Sequence, residues 1–71
     1  MDIQKAKKVA SIKSVAAMGE NQFWVVWDKL MGTYTTAHRL SGYDYEDVIA
    51  VYRDGDLHKV FDKKRFEEVS Q

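Results

Sequence analysis

Two histidines, four serines and eleven carboxylates are the groups in this 71-residue chain that could do chemistry. A catalytic pair or a metal site needs the imidazoles to converge with a carboxylate. His38 and His58 have no H-x-x-x-H or comparable spacing, and each stands beside a cation, Arg39 or Lys59. They read as basic surface. Oxygen-rich loops can hold calcium or magnesium, and Asp44, Glu46, Asp47, Asp54 and Asp56 form the densest carboxylate group. Yet Asp54-Gly55-Asp56 is turn chemistry, and the EF-hand spacing is absent. Turn and capping roles account for Asp44, Asp47 and Asp54 without a ligand. Ser11, Ser14, Ser41 and Ser70 lack a nucleophile-elbow context. The four glycines are scattered one per turn, with no phosphate-cradling motif. With no cysteine, thiolate chemistry and disulfides are excluded. The expectation is a non-enzyme with no metal and no cofactor.

Binding chemistry is better represented. Trp24 and Tyr34, interleaved with Lys29 and Arg39, could stack and neutralise single-stranded nucleic acid. Against that stands a net charge of zero, where a dedicated nucleic-acid binder carries a basic excess. The neutral total hides a segregation. Residues 1–18 carry four lysines against Asp2, a balance of +3, and residues 44–56 carry five acids against Arg53, a balance of −4. An acidic segment repels phosphate and attracts a basic protein surface. Within it, Tyr43, Asp44, Tyr45, Glu46 and Asp47 alternate hot-spot aromatics with acids. The leading expectation is therefore a protein-binding module, an inhibitor or modulator docking on a basic partner surface through these five residues. Small β-barrel binding of nucleic acid is the alternative. Accessory proteins of mobile elements are a common source of chains of this kind.

The elements that must position these groups follow from local pattern. Gln22–Asp28 is rich in aromatic and β-branched residues and predicts a strand. Residues 33–40, with three threonines and a tyrosine, predict the next, and Gly32 between them is free to take positive φ. Asp54-Gly55 between two β-rich runs predicts a type I′ hairpin. That register sets Arg53 opposite Asp56, Tyr52 opposite Leu57, Ile49 opposite Val60 and Val48 opposite Phe61. A rival reading makes residues 44–54 a helix capped by Asp44. Residues 62–69 predict a short helical turn capped by Asp62, with Phe66 and Val69 on one face.

Residues 5–18 are ambiguous. Their composition is helical, but Val9, Ile12, Val15, Ala16 and Met18 spread round the wheel. A strand over residues 9–17, turning through 19–21 into the next strand, is slightly favoured, and residues 1–4 are expected to be flexible. The expected fold is mainly β: one small domain, an antiparallel meander of four to five strands on the plan of an SH3-like barrel. The alternative is α+β, a helix over residues 4–18 packed on a four-stranded antiparallel sheet.

Strand alternation sets Phe23, Val25 and Trp27 on one face and Trp24 and Val26 on the other. One tryptophan should be core and the other partly exposed. The second apolar face suggests self-association through Trp24 and Val26. The longest strongly apolar run, Phe23 to Trp27, is too short to span a membrane, and no apolar leader follows Asp2, so a cytoplasmic protein is expected.

Overall fold

The computed structural model of the chain describes residues 1–16 and 21–68. A helix, α1 (Ile3–Ala16), packs on one face of a four-stranded antiparallel sheet. The strands are β1 (Gln22–Asp28), β2 (Thr33–Ala37), β3 (Val48–Arg53) and β4 (Asp56–Val60), in the order β2-β1-β3-β4. A 3₁₀ turn, Tyr45–Asp47, precedes β3, and a single helical turn, α2 (Lys63–Phe66), follows β4. This is the α+β arrangement. The favoured strand over residues 9–17 is corrected to helix as far as Ala16, the last described residue of that stretch, and the barrel to an open sheet. The plain meander is corrected too, because the connection after β2 crosses β1 to reach β3.

The reason the helix escaped the wheel is visible in what it buries. Its inward stripe is Ile3, Ala6, Ala10 and Ser14, spaced three, four and four. Three of these four are small, so the helix can lie close to the sheet while scoring as weakly amphipathic. The bulky Ile12 and Val15, expected to mark the core, are 61% and 68% exposed. Asp2 starts the helix: its carboxylate accepts from the Lys5 N–H at 2.8 Å. Residues 1–4 include the buried Ile3, and the Met1 carbonyl accepts from the Tyr34 N–H.

The helix-side core joins Ile3, Ala6 and Ala10 to Val25, Tyr34 and Ile49, with Phe23, Trp27, Tyr52 and Phe66 packed around them. Val26, Val48 and Val51 are also buried. Both tryptophans are half-buried, on opposite faces of β1, so neither is the core residue expected. Trp27 meets Tyr34 edge-on at 4.9 Å, and Trp24 lies 5.8 Å from Phe61.

Asp54 and Gly55 have φ of 52° and 90°, as a type I′ turn requires. The register holds for Arg53–Asp56 and Tyr52–Leu57, then slips. His58 is an extra residue, so Val60 faces Ala50 rather than Ile49, and Phe61 donates its N–H to the Ile49 carbonyl. A second bulge at Ile49 lets Val26 face Val48. The turn is tied to the helix. The Gly55 N–H donates to Ser14 Oγ at 2.8 Å, and the Ser11 hydroxyl donates to the Gly55 carbonyl at 2.6 Å. Asp62 caps α2 by accepting from the Arg65 N–H at 3.1 Å. Its expected companion Val69 and the turn at 19–20 lie outside the described residues. Among the described residues, no helix is long and apolar enough to cross a membrane.

Candidate functional site

At the end of the sheet opposite Asp54-Gly55, the β1–β2 turn and the 3₁₀ turn come together. Asp28 shapes the first. Its carboxylate accepts from the N–H groups of Leu30 and Met31 at 3.0 and 3.2 Å, and Gly32, at φ 65°, closes the turn onto the Asp28 carbonyl. With the backbone so occupied, Leu30 and Met31 point into solvent, 97% and 75% exposed. In the 3₁₀ turn, Tyr45 is 80% exposed. The two turns share a hollow of about 330 Å³ whose lining includes Leu30, Tyr43 and Asp44.

Lys29 binds the two turns together. Its ammonium donates to Asp44 Oδ2 and Glu46 Oε1, both at 2.9 Å, and pairs with Asp47 Oδ2 at 3.3 Å. An ammonium has three donors, and here each has a carboxylate. The hydrogen bonds, that to Glu46 foremost, hold the Lys29 ammonium protonated well above the ordinary lysine range. The carboxylate oxygens lie within 4.8 Å of one another, a spacing a divalent cation would accept. The lysine ammonium stands at that position instead. Asp47 is buried and meets Arg65 at 3.6 Å, and Arg65 in turn pairs with Asp62 at 3.1 Å. Three carboxylates on one ammonium leave this cluster with an acidic excess.

A second hollow, of about 580 Å³, lies beside the cluster, with Trp27 and Tyr34 against Glu46, Arg65 and Glu68. The Tyr34 hydroxyl donates to Glu68 Oε2 at 2.9 Å. Burial, then that hydrogen bond, raises its pKa above the ordinary tyrosine value, and burial alone raises that of Tyr52.

Of the five residues expected to bind a partner, the structure gathers Asp44, Glu46 and Asp47 on one lysine, exposes Tyr45 and leaves Tyr43 half-buried. The nucleic-acid set is not brought together. Tyr34 is buried on the helix side, Trp24 lies on the other face of the sheet, and Lys29 is engaged by carboxylates. Val26, expected at a self-contact, is fully buried within its own chain. Sequence reasoning missed Leu30 and Met31. Their signal was two large apolar side chains in a four-residue turn, where polar residues are the norm. No protein-family model, curated protein or solved structure matches this chain.

Proposed function

We propose that this is a non-enzymatic protein-binding module, an inhibitor or modulator that docks its turn end on a basic surface of another protein. The observation that carries the reading is the joint exposure of Tyr45, Leu30 and Met31 on two turns fastened together by Lys29. Large apolar side chains on a fixed backbone cost little further ordering when they bind. Tyrosine supplies broad contact with a polar tip. The acidic excess around them steers the end towards positive potential. A partner suited to it offers an apolar recess rimmed by lysine or arginine. A chain without cysteine is at home in a reducing cytoplasm.

The test is site-specific photocrosslinking in host lysate, with the reactive residue at position 45 and a control at the exposed Leu57. Position 45 should capture one stoichiometric protein, less of it as salt rises, and Leu30→Ser should abolish capture. Equal capture at both positions, or capture unaffected by Leu30→Ser, would remove the turn end as the binding site.

A further inference from the structure

The sheet has two edge strands, and they are not alike. The β4 edge carries Asp56, His58 and Lys59, and the extra residue at His58 breaks its ladder. Charges and bulges are the devices by which proteins keep an edge from pairing. The β2 edge, Thr33–Ala37, has no charge, no proline and no bulge.

Its hydrogen-bonding groups can be assigned. In an antiparallel ladder, alternate residues turn both backbone groups to the same neighbour. The Tyr34 N–H donates to the Met1 carbonyl, away from β1, so Tyr34 faces outward and Thr36 does likewise. Among the described residues nothing takes the outward N–H and C=O of Thr36. Ala37, between outward positions, faces inward and pairs with Trp24. The ladder ends at Trp24–Ala37; just beyond it the chain bends at His38, whose ring stays 6.1 Å from that of Phe23 on β1.

We infer that two copies of this chain pair antiparallel through the open half of β2, with Ala37 of each copy at the two-fold axis. Thr36 of one copy then lies opposite His38 of the other, and each pair exchanges N–H to C=O bonds in both directions. Met1, which covers the Tyr34 end, stays in place. A second copy fits for three reasons. The arrangement is self-complementary in donors and acceptors. No like charges meet, since Arg39 of one copy falls opposite Thr35 of the other. Ala37 is small where the strands approach most closely, and the row Trp24–Ala37 continues into the same row of the second copy, giving each half-buried Trp24 an apolar neighbour. The two sheets become one of eight strands. This contact lies on a different edge from the turn end and stands independently of it.

The chain has no cysteine, so one can be introduced cleanly. Residues facing each other in a non-hydrogen-bonded antiparallel pair are about 4.5 Å apart at Cα, within disulfide reach. Ala37→Cys should oxidise to a covalent dimer readily, and His58→Cys, on the guarded edge, far more slowly. Thr36→Pro removes only an outward N–H, a substitution edge strands accept. In sedimentation it should weaken dimerisation of the otherwise unaltered chain by about tenfold or more. Circular dichroism reports whether that variant still folds, and the cysteine pair decides the matter if it does not. Equal oxidation of the two cysteine variants, or a parent chain that stays monomeric at millimolar concentration, would overturn the inference. A monomer that instead binds an extended peptide along β2 would overturn it in favour of another occupant.

Discussion

The two ends of the sheet spend their side chains differently. At the Asp54-Gly55 end, backbone groups of the turn are bound by the hydroxyls of Ser11 and Ser14 on the helix, and Ser14 is fully buried. At the Lys29 end the links are charge pairs between side chains mostly in water, and three large apolar residues face solvent. Buried, geometrically fixed bonds are costly to lose, whereas solvated ion pairs contribute little. The first end therefore holds the fold, and the second, where binding is proposed, carries little of it. Stability and binding should separate along the length of the molecule.

The largest effect is expected at Gly55. At φ 90° a side chain is strained, and an added Cβ would lie 2.6 Å from Val15 Cγ2. Gly55→Ala should destabilise by about 2–3 kcal/mol in urea unfolding. A loss under half of that would mean the turn relaxes without disturbing the helix. Ser14→Ala comes next. It leaves the Gly55 N–H without its acceptor and should cost about 1–2 kcal/mol. A neutral result would show that water replaces the hydroxyl and that this end is looser than its burial indicates.

How far the sequence announced this contrast depends on how local each cause is. The hairpin was legible because Asp54-Gly55 dictates its own φ values. The Asp62 cap was legible for the same reason. The helix was half-legible: its composition is helical, but its packing stripe is alanine and serine, which hydropathy undervalues. The bulges at Ile49 and His58 were not legible, since they accommodate packing between distant segments. Nor was the Lys29 cluster, which joins residues fifteen and seventeen apart through a turn and a crossover. The alternation of tyrosines and acids over residues 43–47 left open whether the rings pack inward; Tyr45 is exposed and Tyr43 half-buried. The apolar turn beside it needed only the question of why leucine and methionine stand where polar residues usually do.

Alkaline titration probes the region between the two ends. Tyr34 and Tyr52 both have folded-state pKa values raised above the ordinary 10.0. The unfolded chain therefore ionises first. Stability is fully present below pH 10 and declines as pH rises through the raised values. Ultraviolet titration should show Tyr34 and Tyr52 ionising late, with unfolding accompanying them. Ionisation of Tyr34 at the ordinary tyrosine value in a folded chain would contradict its burial.

Lys29→Met should cost less stability than Ser14→Ala, because the lost pairs with Asp44 and Glu46 are exposed. Its mark should be on salt dependence. The parent's slight weakening with added salt should reverse in the variant, where unpaired carboxylates repel until screened. A loss as large as that of Ser14→Ala would show that Asp47, buried and left with Arg65 alone, makes this end structural after all.

Tyr45→Ala is the smallest expected change in stability and the sharpest test of the contrast. The side chain is exposed and sits on a turn held by its neighbours, so unfolding should move by no more than about 0.5 kcal/mol. Affinity for the partner captured at position 45 should fall by about 2 kcal/mol or more, as at an interface hot spot. The acids around it stay in place, so the association rate and its salt dependence should be nearly unchanged, and the loss should appear in dissociation. If stability falls instead and affinity holds, Tyr45 is a packing residue, and the division of labour between the two ends is wrong at its most exposed point.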